Sequence, residues 1–299
     1  MARNGTYYIG RVLKLGVLDQ EKLIYAINNP GVINFRGNSW TFIDVHEHNQ
    51  SGNHYIVGKL CKFAPEGKVD VVDTATKSGE KQLEPNLILA SSTFIYIPEH
   101  SGICFLNVSN HIEPKTFIRR FCEIIKKTHK NFFVECDIDL ISDLKTFSAK
   151  LSALDGIYRI SASISPPNPL FSPLWKPLEE YLRKRNTDKM SIIEDAPVAN
   201  NLNTKLPYIV EQVSLQSESK QFTPDYQIEL GDAAILMAAD GYGKGIVRGH
   251  KKNEIIVIKT SETALNFTFD KSPEPHELFV KALSILERVK KSRYMEHGE

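Results

Sequence analysis

The sequence predicts a mixed α+β fold: a β-rich antiparallel N-terminal lobe with one short helix, followed by a mixed α/β lobe with helices packed on a sheet. Three observations carry this. Up to about residue 112, short runs of β-branched and aromatic residues alternate with turns containing Gly, Asn and Pro. From Pro114 onward, apolar stripes at helical spacing alternate with short apolar runs. The chain has 299 residues, the size at which single cores stop growing, roughly 250–300 residues. The expected units are therefore 1–112 and 113–299, with an insertion or linker at about 196–224, where Pro, Asn, Ser, Gln and Lys dominate.

In order, residues 5–15 have the content of a strand, and Asp19 caps a short helix that buries Leu23, Ile24 and Ile27 and ends at Asn29-Pro30-Gly31. Strands are expected at about 32–36, 39–47, 54–63, 68–74, 92–97 and 102–108. Such short strands and turns are antiparallel chemistry. The clearest hairpin pairs 94–97 with 103–106. Pro114 suits a helix's first position, and the helix to about Lys130 buries Phe117, Ile118, Phe121, Ile124 and Ile125. A strand (132–140), a helix (142–154) and a strand (157–164) follow. After Ser165-Pro166-Pro167-Asn168-Pro169, a helix through Trp175, Leu178 and Leu182 leads to a strand at 189–194. A short helix is expected near 208–213, strands at 233–239, 245–249 and 254–260, and a last helix at 274–293 carrying Leu278, Phe279, Leu283, Leu286 and Val289.

Composition is that of an ordinary globular protein, 41% hydrophobic and 24% charged. The four cysteines show no zinc or redox spacing and read as free thiols. The N-terminus has no apolar core of a signal peptide, and no run reaches the roughly 18 apolar residues of a membrane helix. The expectation is a cytoplasmic protein without membrane insertion. Net charge is +1, and residues 1–112 carry 10 basic and 10 acidic residues. Any electrostatic footprint must therefore be local.

Several motifs invite chemistry. Asp240-Gly241-Tyr242-Gly243-Lys244-Gly245 evokes a phosphate loop, but the spacing is wrong and no helix is expected after it, so it reads as a hairpin turn. His46, His48 and His54 could approach one another, yet nothing fixes a full ligand set, and exposed histidines are the plainer reading. Glu135, Asp137 and Asp139 alternate along one strand and share a face. Paired carboxylates can hold Mg²⁺ in nucleases, but no Glu-x-Lys stands on an adjoining strand, which favours a solvated face or one paired with the neighbouring basic helix. No hydrolase elbow or kinase signature is present. No catalytic residue, metal ligand or cofactor is assigned.

The helix from 114 to 130 is more informative. Its apolar stripe leaves Arg119, Arg120, Lys126, Lys127 and Lys130 on the opposite face, opposed by Glu123. Further clusters are Arg183-Lys184-Arg185, the run from Arg248 to Lys251 and Lys252, and that from Arg288 to Arg293. Each can neutralise phosphates without reading bases, or can simply be a solvated face. No helix-turn-helix or zinc finger accompanies them.

The order of elements resembles the RexA-like phage-exclusion family. The likeness rests on Asn4-Gly5-Thr6-Tyr7 opening the first strand and on the hairpin of Phe94-Ile95-Tyr96 with Gly102-Ile103-Cys104-Phe105. The helix at Pro114, the Pro167-Asn168-Pro169 break, and Ala239-Asp240 before a glycine turn complete it. The chain departs from that pattern at 196–224 and in its balanced charge. The resemblance implies a homodimer that binds double-stranded DNA with little sequence preference and acts in phage exclusion with a partner protein. It assigns no residue a role. The leading expectation is a non-catalytic, sequence-nonspecific DNA-binding protein of antiviral defence (abortive infection). The alternatives are a metal-dependent nuclease using Glu135, Asp137 and Asp139, and a protein-interaction or toxin-antitoxin subunit.

Overall fold

The computed structural model describes residues 4–50, 52–72, 74–166, 176–197, 200–215, 222, 226, 228–252 and 254–293. Among them the chain forms β1 (Asn4–Gly16), α1 (Gln20–Asn28), β2 (Ile33–Phe35), β3 (Asn38–Gln50), β4 (Asn53–Val72), β5 (Gly79–Ile97) and β6 (Gly102–Leu106). It continues through α2 (Pro114–Thr128), β7 (Val134–Leu140), α3 (Leu144–Ser152), β8 (Gly156–Ile164), α4 (Lys176–Lys184) and β9 (Met190–Asp195). It closes with α5 (Leu206–Ser214), α6 (Leu230–Met237), β10 (Gly243–Lys251), β11 (Glu254–Lys259), β12 (Asn266–Asp270) and α7 (Pro275–Arg293). The fold is mixed α+β, with antiparallel sheets.

The larger sheet has the order β12-β1-β6-β5-β4-β3-β2, with β7 also on β1. Residues 4–8 of β1 pair with β12 and residues 10–16 with β7, end to end along one side, while β6 takes the other. Residues 94–97 of β5 and 102–106 of β6 are buried on both faces, which is why they read as near-continuous apolar runs. Phe94, Tyr96 and Phe105 meet α1 and α2 on one face, where Phe105 stacks on Phe117 at 4.0 Å. Ile95, Ile97 and Cys104 meet Leu278, Phe279, Ala282 and Leu286 of α7 on the other. The smaller sheet, β11-β10-β8-β9, packs one face on α3, α4, α5 and α6.

The expected unit 1–112 is not self-contained. α2, β7, β12 and α7 all lie beyond residue 112, yet the strands extend its sheet and the helices cover its faces. Non-local pairing decides the layout, and composition along the chain does not report it. The strand expected at 233–239 is helix α6. Its Gly-Asp-Ala-Ala-Ile-Leu-Met run is buried all round, so it shows no polar face, and alanine and leucine favour the helix. The strands expected at 54–63 and 68–74 are one strand, β4, whose outer half forms a two-stranded ribbon with β5. β12 is additional. Within 196–224, α5 buries Leu206, Ile209, Val210 and Val213 in the core of the smaller sheet, so that part is no linker. The Pro167-Asn168-Pro169 break, Trp175, residues 1–3 and the remainder of the 216–225 stretch apart from Phe222 lie outside the described residues.

α6 runs into a wide turn over Ala238–Tyr242, in which Gly241 adopts φ +86°. A side chain there would meet Arg11 Cγ at 2.8 Å, so the residue must be glycine. The turn joins a helix to β10 and is not the expected hairpin. It delivers the buried Asp240 carboxylate between two buried guanidinium groups: Arg293 Nη1 lies 2.7 Å and Arg11 Nη2 3.9 Å from Asp240 Oδ1. Arg11 also donates to the carbonyl of His100 (2.7 Å), and Arg293 to those of Ala239 (3.0 Å) and Ser142. One carboxylate thus ties β1, α7 and the turn before β10 together. Removing one member of such a cluster strands the others, at a cost of about 3–5 kcal/mol. Asp240→Ala is therefore expected to lose about that much in urea unfolding, with Arg11 and Arg293 left facing each other. A loss below about 1 kcal/mol would show that the junction is not held by this charge.

Candidate nucleic-acid interface

α2 follows the apolar stripe: Phe117, Phe121, Ile124 and Ile125 are fully buried against the larger sheet. Its outward side carries exposed Lys115, Arg119 and Lys127, with Lys126 half-buried and Lys130 exposed just beyond its end. Arg120 departs from the expectation. It is buried, its guanidinium lies 3.6 Å over the Phe35 ring and 5.6 Å from that of Trp40, and it pairs with Glu123. It stands at the border of the helix face, where the edge strand β2 covers it. Glu123 also takes Arg119 Nε at 3.0 Å, so part of that charge is spent within the helix.

The chain leaves α2 through a pinned corner. Asn131 N–H donates to Lys126 O (2.8 Å), Lys130 N–H to Lys127 O (3.0 Å) and Phe132 N–H to His129 O (3.1 Å). The adjacent amides of Gly16 and Val17, at the end of β1, hold the next two groups. Val17 N–H donates to Phe133 O (3.0 Å) and Gly16 N–H to the Asp188 carboxylate (3.2 Å). Gly16 has φ +63°, and a Cβ on it would fall 2.2 Å from Phe133 O. Asp188 follows the exposed Arg183, Lys184 and Arg185 at the end of α4 by only a few residues. The loops after α2 and α4 are therefore held side by side by the end of β1, which brings two of the four expected basic clusters to one corner.

The third does not join them. Lys251 and Lys252 are exposed at the turn between β10 and β11. They lie at the opposite end of β10 from Gly243, which registers with Ile164 and, through it, with Met190 beside the corner. Eight residues of strand separate the two ends, about 26 Å. Of the cluster from Arg288 to Arg293, Arg293 is committed to Asp240, while Arg288 lines a cleft of about 490 Å³ with Lys145, Leu215 and Ser292.

The acidic strand is β7. Asp137 and Asp139 do share a face, but their partner is Lys244 of β10: its Nζ lies 2.6 Å from Asp137 and 3.5 Å from Asp139. The basic helix is not what neutralises them. An ammonium occupies the position between the carboxylates and clamps the two sheets together. Burial opposes the charge on Lys244, but Asp139 and Asp137 outweigh it and hold its affinity for the proton above the ordinary value. Among the described residues, no group of three or more His, Cys, Asp and Glu side chains is placed to hold a metal ion. At the histidine cluster, His54 bonds Glu47 at 2.8 Å and His48 stacks on Tyr55 at 4.7 Å. All four cysteines are buried and unpaired.

Two features of the corner escaped sequence reasoning. Phe132 and Phe133 are 70% and 72% exposed, and Lys189 is close enough to act on the Asp139 carboxylate. The signal was available: Lys-Asn-Phe-Phe places two large apolar residues between a helix end and a strand.

Residues 21–220, 200 of the 299, match the family described as Domain of unknown function (DUF4747). No curated protein matches the chain. Among the described residues no helix is long and apolar enough to cross a membrane.

Burial pushes the Asp139 carboxyl up to about 6, against the pull of Lys244, with Asp137 adding to the rise. An unfolded aspartate titrates near 3.9. Between these values the folded chain keeps a proton that the unfolded chain has released, so this group's contribution falls as pH rises from about 4 to about 6. Asp139→Asn cannot titrate. Urea unfolding of both proteins across that window is expected to show the variant gaining on the parent as pH increases, and a constant difference would exclude the effect.

Proposed function

The chain belongs to the DUF4747 family, and we propose that it is a non-catalytic protein that binds double-stranded DNA through phosphate contacts, with little sequence preference. The observation that carries this reading is the meeting of Lys126, Lys127 and Lys130 with Arg183, Lys184 and Arg185 at one corner. A net charge of +1 would give no such site if the cations were spread evenly. Cations held on a pinned surface release counterions from the duplex, and that entropy supplies sequence-independent affinity. α2 is covered on its inner side by the sheet and flanked by β2, and this reading gives its outer cations phosphate contacts and no base-edge readout. The resemblance to the RexA-like family adds the setting, antiviral defence or phage exclusion, with a homodimer and a partner protein as part of the proposal.

A second reading has one observation in its favour. Asp137, Asp139 and Lys244 form the kind of carboxylate–lysine cluster that metal-dependent nucleases use. Plasmid DNA incubated with the protein and Mg²⁺ separates the two. A mobility shift without nicking is the expected result, and nicking abolished by Asp137→Asn would replace the binding reading with the enzymatic one.

For the binding reading, each lost phosphate contact lowers the magnitude of the slope of log affinity against log salt by about 0.9. Replacing Lys126, Lys127 and Lys130 by Gln is expected to weaken binding and flatten the slope by up to about 2.7. The loss should be alike on unrelated duplexes, because phosphates carry no base information. Lys251→Gln with Lys252→Gln, at the far end of β10, should change the slope by less than about 0.9. Fluorescence anisotropy over a salt series measures both. An unchanged slope in the folded triple variant would sink the proposal.

A further inference from the structure

Phe132 and Phe133 stand out of the corner with their rings 4.9 Å apart and nearly perpendicular. Their backbone cannot fold them away. Lys130, Asn131 and Phe133 have φ values of +54°, +58° and +48°, the left-handed region that side chains disfavour. The hydrogen bonds to the last carbonyls of α2 on one side and to Val17 on the other hold that conformation. The core beneath is already filled, with Val134 and Cys136 buried. The rings directly follow the lysines that end α2, and the Phe133 carbonyl bonds Val17 next to the Gly16 amide that takes Asp188, three residues beyond Arg185. Tyr25, also exposed, lies nearby, 6.1 Å from the His129 ring. Apart from Val17, the large apolar side chains exposed on this corner's loop and on α1 are aromatic.

Exposed aromatic rings beside cations match what a nucleic acid presents, phosphates beside flat base faces. Phenyl rings also act as wedges between base steps in architectural DNA-binding proteins. A lipid surface also takes apolar rings beside cations, but its affinity scales with the apolar area buried, and this loop offers two rings. We propose that Phe132 and Phe133 form a base-stacking wedge, which takes up nucleobase faces when DNA lies along the cationic corner. The bases come either from an opened duplex step or from an unpaired stretch. This rests on the DNA-binding reading above.

The test uses the full chain with three probes: a short duplex, the same duplex with internal unpaired bases, and the single strand. Phe132→Ala with Phe133→Ala is expected to weaken binding about tenfold to a hundredfold for each base that the parent stacks. The salt slope should stay as in the parent, because no charge is removed. On the single strand, Phe132→Leu with Phe133→Leu should not restore affinity, since it keeps apolar bulk without a flat ring to stack on; on the duplex, affinity kept by leucine identifies insertion at an opened step. A loss confined to the unpaired probes identifies unpaired bases as the source. A loss on the duplex, with weaker unstacking of a fluorescent base analogue, identifies an opened step. Both outcomes support the wedge. Because the rings are exposed, the urea midpoint of each variant should match the parent. The wedge is overturned if the alanine variant binds all three probes like the parent, and its stacking role if the leucine variant binds the single strand like the parent. It is also overturned if the phenylalanines are needed only for sedimentation with phosphatidylserine-containing vesicles. Failure of the parent to bind any DNA would instead overturn the underlying reading and the wedge with it.

Discussion

Asp240 brings one negative charge to the point where β1, α7 and the turn ahead of β10 converge, and two arginines meet it there. Burying three charged groups is expensive, and an apolar replacement of similar volume is often as stable or more so. What the cluster supplies is directional. Each guanidinium spends its remaining donors on backbone carbonyls, at His100, Ala239 and Ser142, so the groups fit in one arrangement only. Arg11 sits where β1 changes partner from β12 to β7, and Arg293 ends the helix that covers the other face of the same sheet. The relation of the two sheets is therefore fixed by polar geometry at their junction, and the corner at the far end of β1 inherits that fixed position.

The same strand carries the consequence outward. Beyond Arg11, β1 pairs with β7 as far as Gly16, and the amides of Gly16 and Val17 then secure the loop after α4 and the loop after α2. Charge is distributed to match. Asp137 and Asp139 of β7 face Lys244 across the junction, so the partner of these two acids is an ammonium of the smaller sheet and none of the basic residues of α2 or α4. Near neutrality of the whole chain thus leaves room for a local group of cations at the corner, beside the exposed Glu135 and Asp188.

The amphipathic elements were legible in the sequence because their signal is local. α2 and α7 show a stripe at helical spacing, and the hairpin of β5 and β6 shows alternation beside a turn. α6 was not legible, because a helix buried all round has no stripe, and an apolar run of that length looks the same as a buried strand. β12 was missed since its partner lies some 260 residues earlier, and the division at residue 112 failed for the same reason. At the site, a helical wheel placed Arg119 and Lys127 outside, as they are, while Lys126 is half-buried and Lys130 is exposed beyond the helix end. The wheel placed Arg120 outside too, because Phe35 of the edge strand β2 and Trp40 of β3, which cover it, belong to strands that no wheel contains. The partner of the acidic strand was hidden likewise, since Lys244 comes from the glycine-rich turn read as an isolated hairpin.

Three left-handed residues within four positions are costly, on the order of 1–3 kcal/mol each, and they persist only where the surroundings over-determine them. Here the surroundings are the end of α2, the end of β1 and a glycine that no other residue can replace. That cost secures no burial, because the segment it shapes ends in two exposed rings. A loop of relaxed backbone could lay at least one phenyl against the neighbouring helix and gain apolar contact. Stability alone gives no reason to hold both outward at a corner lined with cations. The strain, the exposure and the charge are three separate observations at one loop, and a polyanion with flat apolar faces is the partner that the proposal assigns to them.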